Sequence, residues 1–159
     1  MLFRSEVRQM ALQTIDSLRD IVWFIDPTFN QMSDLVVRLQ TTAKARLLGL
    51  EVNFQQTGDF KNTELMLSFR RNVLPLFKEA LHNIIKHAHA TRVDIRVGCK
   101  GNKFQLSISD NGSGFDPGKS MDGNGLKNMH RRARDMKGEL QILSSPAGGT
   151  TVCLTAPLP

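Results

Sequence analysis

Three segments in a fixed order constrain this chain more than anything else in it: Phe77 to His87 (Phe-Lys-Glu-Ala-Leu-His-Asn-Ile-Ile-Lys-His), Asp110 to Phe115 (Asp-Asn-Gly-Ser-Gly-Phe), and Gly123 to Asn128 (Gly-Asn-Gly-Leu-Lys-Asn). The first has helical periodicity, at about 100° per residue. Val73, Phe77, Ala80, Leu81, Ile84 and Ala88 gather on one side as a core-facing stripe. Glu79, Asn83, Lys86 and His87 share a flanking arc of roughly 100°. An acid, an amide and two bases collected beside the core suit the rim of a cleft. The plainer alternative is a solvated helix face with Glu79 and Asn83 one turn apart.

The second segment closes a strand. Phe104, Leu106 and Ile108 alternate with Gln105, Ser107 and Ser109, and Asp110 continues the apolar parity. An inward carboxylate needs a partner, because an unpaired buried charge is expensive, and an adenine amino group is a suitable donor. Gly112 and Gly114 allow a sharp turn and leave room for a flat base. An ordinary Asn-Gly turn is the competing account. In the third segment Gly123, Asn124 and Gly125 open an amphipathic stretch with Leu126, Met129, Ala133 and Met136 on its apolar face. Gly138 is expected to stop that helix, with Lys137 in its last turn. Free N–H groups at such a start suit a phosphate. The spacing matches neither a dinucleotide fingerprint nor a Walker loop, and a glycine loop without a ligand would look the same. Read together, the segments supply the parts of a split site for ATP and magnesium.

In this order the segments identify a family likeness. The chain resembles the ATP-binding domain of sensor histidine kinases, in the broad family shared with gyrase, the ninety-kilodalton heat-shock chaperone and mismatch-repair clamps. Glu79 to His87 is similar to the family's N box, Asp110 to Phe115 to its first glycine box, and Gly123 to Met129 to its second. Gly148-Gly149-Thr150-Thr151 is similar to its last box. Glu79 to Ala88 and Gly125 to Met129 resemble the nitrate-sensor and lipid-fluidity-sensor subgroup most. Leu18 to Pro27 looks like the end of that subgroup's second dimerisation helix.

The resemblance implies a role for each matching position. Asn83 would be the magnesium ligand, a hard oxygen bridging metal and phosphates. Glu79 would be the catalytic residue, polarising the attacking nucleophile. Lys86 and His87 would contact phosphate, and Asp110 would read adenine, with Gly112, Gly114 and Thr150 completing that side. The backbone of Gly123, Asn124, Gly125 and Leu126 would cap the phosphates and hinge a lid. Only Asp116 to Asp122 separate the glycine boxes, so the lid is expected to be short, without a phenylalanine-rich box.

At coarse resolution the chain begins with an amphipathic helix from Ser5 to Ile25, with Val7, Ala11, Ile15, Leu18, Val22 and Ile25 on one stripe, ended by Pro27. A second helix from about Ser33 to Leu48 stops at Gly49, with Leu35, Val36, Leu39 and Ala43 inward. Leu50, Val52 and Phe54 alternate as a strand, and Gln55 to Asn62 read as a polar loop. Hairpins follow over Thr91–Cys99 with Lys103–Asp110, and over Glu139–Ser144 with Thr150–Ala156. This pattern predicts an α/β (α+β) two-layer sandwich, a mixed sheet covered on one face by helices. The resemblance implies the Bergerat form of it, with residues 1–27 as the end of a dimerisation and phosphotransfer helix and 28–159 as the ATP-binding catalytic domain.

Charge adds one exclusion. The net charge is +6, and basic residues concentrate in Lys127, His130, Arg131, Arg132, Arg134 and Lys137, expected on the outer face of the helix that follows the second glycine box. No aromatic residues interleave with them, Tyr is absent and Trp occurs once, so nucleic acid is not the expected partner. Cys99 and Cys153 lack metal or redox spacing and read as small buried apolar residues. No apolar run reaches membrane-spanning length, and cytoplasmic residence, as the cytoplasmic part of a membrane sensor or alone, is the expectation.

Of the four histidines, His82, His87, His89 and His130, none lies in the N-terminal amphipathic helix. The resemblance places its phosphoacceptor histidine ahead of that helix, so the chain reads as a fragment whose acceptor lies elsewhere. The implied activity is transfer of the γ-phosphate of ATP to a histidine for relay to a response regulator, in a protein that is a homodimer at full length, with no direct membrane contact by this fragment. Two alternatives share features with it: an anti-sigma-type serine kinase or other ATPase of the same superfamily, and a non-catalytic dimerisation module with a vestigial pocket.

Overall fold

In the computed structural model, residues 1–60, 62–119 and 123–158 are described. The elements are α1 (Leu2–Ile25), α2 (Met32–Arg46), β1 (Glu51–Thr57), α3 (Leu67–Asn83), a π-helical segment (Ile84–Ala88), β2 (Arg92–Lys100), β3 (Lys103–Asp110), α4 (Asn124–Asp135), β4 (Glu139–Ser144) and β5 (Thr150–Pro157). The five strands form one mixed sheet in the order β1-β2-β3-β5-β4. Only β1 and β2 run parallel; the other neighbours are antiparallel.

Alternation along the strands creates the two layers. Val93, Ile95, Val97, Phe104, Leu106, Ile108, Val152, Leu154 and Ala156 are buried on one face. Against them lie Leu35 and Leu39 of α2, Leu74, Phe77 and Leu81 of α3, and Met129 and Ala133 of α4. The intervening strand residues, such as Arg96, Gln105 and Gln141, are exposed. This is the expected two-layer sandwich with its helices on one side. Leu35, Val36, Leu39 and Ala43 point inward as their spacing predicted.

Several expected boundaries shift, each for a physical reason. Gln55 to Thr57 are not loop: they extend β1, because the parallel register with β2 continues to the Thr57–Gly98 pair. Helix α2 ends at Arg46, and Gly49 takes its positive φ of 86° in the turn beyond. At the end of α4 the left-handed residue is Lys137 (φ 54°), not Gly138. The Gly138 N–H reaches the Ala133 carbonyl (2.8 Å) and the Lys137 N–H the Arg134 carbonyl (2.8 Å), a Schellman closure. Glycine is needed at 138 for space instead, since a Cβ there would lie 2.7 Å from the Thr155 carbonyl oxygen. Cys99 and Cys153 are half-buried rather than fully enclosed.

Helix α3 contains Pro75, which has no N–H to give the Arg71 carbonyl one turn back. Arg132 of α4 supplies the missing donor: its Nη1 lies 3.2 Å from the Arg71 carbonyl oxygen and 3.4 Å from Asn72 Oδ1. Arg132 therefore turns toward α3 and leaves the outer basic face expected of it.

Helix α1 is held by its polar side. Lys78 of α3 bridges Asp16 (2.9 Å) and Asp20 (2.5 Å), while Arg46 and Arg38 of α2 pair with the same two carboxylates. Beyond them Trp23 is buried, with Arg70 and Arg38 stacked against its ring at 5.2 and 5.9 Å. The apolar stripe of Val7, Ile15, Leu18, Val22 and Ile25 faces outward and is exposed.

Candidate functional site

The three sequence segments converge on one cavity of about 470 Å³ between α3 and its π-helical continuation, the inner ends of β3, β4 and β5, and the start of α4. That volume suits a nucleotide-sized ligand. Glu79, Asn83, Lys86, His87, Asp110, Gly114, Gly123, Gly125, Leu126 and Thr150 all line it. Gly112 and Asn124, also expected there, do not. Gly112 instead packs beside the π-helical segment, and a Cβ on it would lie 2.7 Å from the Ala88 Cβ. Asn124 is exposed at the first position of α4.

The polar arc of the first segment survives, but not by ideal helical geometry. After Asn83 the backbone widens into the π-helical segment, which ends at His89 in the left-handed region (φ 50°). The wider turn carries Lys86 and His87, both exposed, to the rim, while Ile84 and Ala88 stay buried. Such π turns cluster at functional sites. This one is tied to the first glycine loop: the Ser113 N–H donates to the Ala88 carbonyl at 2.7 Å.

Asp110 ends β3 at 7% exposure, the most buried carboxylate among the described residues. Burial pushes its carboxyl above the ordinary value, and hydrogen bonds from the Gly112 and Thr150 backbone only partly offset this. The Gly112 N–H reaches Asp110 Oδ1 at 2.8 Å. Part of the partner that burial demands is thus supplied by the chain itself. The loop is fixed at its far side by Asn111, whose Oδ1 accepts the Thr91 and Arg92 N–H groups at 2.9 Å each. Ser144 braces the opposite wall, accepting from the Phe115 N–H (2.9 Å), donating to the Gly149 carbonyl (3.1 Å) and pairing with Thr150 Oγ1 (2.8 Å).

The sequence reading missed the cavity's apolar lining. Ile142 and Val152 line it from outside the three sequence segments, Phe115 joins them from the first glycine segment, and Ala80, Ile84 and Ile108 serve both core and cavity. Inward parity on β3, β4 and β5, traced to the strand ends nearest the glycine loops, was the available signal. Apolar side chains line the cavity beside one buried carboxylate, which suits a purine; the rim carries Lys86 and His87, which suit phosphates.

No group of three or more histidine, cysteine, aspartate or glutamate side chains capable of caging a metal occurs among the described residues. Magnesium bound through a nucleotide does not need one, because it keeps its waters and takes one or two protein oxygens plus phosphate. The Asn83 amide oxygen beside the Glu79 carboxylate fits that donor set. Of the expected lid, Asp116 to Lys119 form a turn in which the Gly118 N–H donates to Asp116 Oδ1 at 2.9 Å. Ser120 to Asp122 lie outside the described residues.

Comparison with known proteins agrees with this geometry. Residues 70–159 match the family described as histidine kinase-, DNA gyrase B-, and HSP90-like ATPase. The signal transduction histidine-protein kinase/phosphatase DegS of Brevibacillus brevis is 29% identical over 96% of this chain and 40% of its own length. The signal transduction histidine-protein kinase/phosphatase UhpB of Salmonella typhimurium is 29% identical over 95% of this chain and 30% of its own length. The chain thus spans well under half the length of these curated relatives. Among solved structures, the Acinetobacter baumannii histidine kinase AdeS superposes with a TM-score of 0.67 at 18% identity, covering 99% of this chain and 84% of that one. The histidine kinase domain of the Erythrobacter litoralis EL346 blue-light activated kinase gives 0.65 at 18% identity, covering 79% and 60%.

Proposed function

The chain belongs to the histidine kinase-, DNA gyrase B- and HSP90-like ATPases, and from that premise we propose that it transfers the γ-phosphoryl group of ATP to a histidine, as the catalytic domain of a two-component sensor kinase. The observation that carries this reading is the convergence of Glu79, Asn83, Lys86, His87, Asp110, Gly114, Gly125 and Thr150 on one nucleotide-sized cavity. Adenine lies on Ile108, Ile142 and Val152 with its amino group toward Asp110. The triphosphate runs to Lys86, His87 and the first turn of α4, where backbone N–H groups and the helix dipole favour anions. Asn83 would hold magnesium, which would neutralise phosphate charge when bound. Glu79 orients the nucleophile and accepts its proton as the new bond to phosphorus forms and the bond to the ADP oxygen breaks.

The phosphoryl group then passes to a response regulator. Residues 1–27 are the end of a dimerisation helix and 28–159 the catalytic domain. The outward stripe of Val7, Ile15, Leu18 and Val22 supports a homodimer, since a soluble helix seldom leaves so much apolar surface uncovered. No helix among the described residues is long and apolar enough to cross a membrane.

Calorimetric titration with a non-hydrolysable ATP analogue, with and without magnesium, tests the reading. The wild-type chain is expected to bind, and Asn83→Ala to lose the magnesium-dependent part of the affinity. Binding that ignores both magnesium and the substitution would remove Asn83 from the site. Absence of any binding would leave a nucleotide fold without its function.

A further inference from the structure

The two glycines at the start of α4 are glycine for different reasons. Gly123 caps the helix with an ordinary φ of −72°, and a Cβ there would meet nothing within 4 Å. Gly125 lies in the first helical turn and also needs no special conformation, but a Cβ there would overlap Oε1 of Glu79 and sit 3.0 Å from its Cδ and 3.5 Å from its Cγ. The Glu79 carboxyl group thus occupies the space that every other residue type would fill with its own side chain.

We propose that Gly125 is a positioning residue for Glu79: its bare Cα is the seat that holds the carboxylate facing the cavity. The inference rests on the catalytic reading of Glu79 and adds a role to Gly125 beyond lending its backbone to phosphate. The obstacle that an added methyl group meets is the tip of a flexible side chain, not backbone. An alanine at 125 therefore displaces the carboxylate and leaves α4 in place. Alanine is also the better helix former. Stability and turnover should accordingly part company.

A double-mutant cycle on the full chain tests this, using Gly125→Ala, Glu79→Ala and the two together, with three readouts: phosphate release from saturating magnesium ATP, in which water takes the place of the acceptor histidine, affinity for a non-hydrolysable analogue, and thermal midpoint. Gly125→Ala is expected to melt at or above the wild-type temperature. Its turnover should fall on the order of 10²-fold, the low end of what a positioned base contributes, with a much smaller change in affinity. In the Glu79→Ala background the same substitution should change turnover by less than about twofold, because its target is already gone. Equal losses in both backgrounds would overturn the proposal and assign Gly125 to phosphate contact alone.

A readout that needs no nucleotide keeps the seat testable by itself. The Glu79 carboxyl carbon resonance, identified by its disappearance in Glu79→Ala, should move in Gly125→Ala; an unmoved resonance refutes the contact. If the wild-type chain releases no phosphate, the resonance alone decides whether Gly125 seats the carboxylate, and the functional reading stands or falls on nucleotide binding.

Discussion

Asp110 shows how far a single residue can be read in advance. Its parity placed it inward and its need for a donor pointed to adenine, but its hydrogen bond from the Gly112 N–H is a property of the folded loop. Folding raises its pKa, so above about pH 4 the folded chain retains a proton that the unfolded chain has already lost. Stability therefore falls as pH rises from that point through the folded value. Asp110→Asn is expected to flatten that dependence and to leave the urea midpoint at neutral pH equal to or above that of the wild type. Affinity for the ATP analogue should fall at the same time, by up to the ~3 kcal/mol of a hydrogen bond to a charged group. A lower midpoint would mean that the Gly112 and Thr150 hydrogen bonds outweigh burial. Unchanged affinity would remove adenine from Asp110.

Among the elements, types were legible and joints were not. Periods of 3.6 and 2 located the helices and strands, because burial on one face writes itself into the sequence. The π-helical segment escaped, since one wide turn barely disturbs the apolar stripe of Ile84 and Ala88 while moving Lys86 and His87. The α3–α4 joint escaped for another reason: Pro75 orphans a carbonyl whose replacement donor, Arg132, is distant in sequence. Arg132→Met should lower stability by about 1 kcal/mol. Pro75→Ala should reduce that loss by restoring a backbone donor; equal losses with and without Pro75 would show that Arg132 acts elsewhere. Just beyond the C-terminal end of α4, Lys137→Gly relieves a left-handed backbone and should raise stability by about 1 kcal/mol. A decrease would mean that the Lys137 side chain contributes more than its backbone costs.

For the molecule as a whole, the sequence announced an amphipathic first helix but not which side it would bury. Periodicity marks an apolar stripe without saying whether this chain covers it, and here Asp16, Asp20 and Trp23 do the docking instead. The ion pairs are partly exposed, hence weakened by salt. Asp16→Asn with Asp20→Asn should red-shift the emission of Trp23, the only tryptophan, and rising salt should do the same in the wild type. Unshifted emission in both cases would mean that Trp23 and its arginines hold α1 unaided. The strand order carries a last consequence, in time rather than space. The β2–β3 and β4–β5 hairpins close locally, whereas β3 must find β5 across the whole of α4, and β1 must find β2 across α3. Local pairings form early and distant ones late. The cavity straddles the β3–β5 seam, so it exists only once the slowest pairings are made, and a bound nucleotide would slow global unfolding rather than the fraying of any one hairpin.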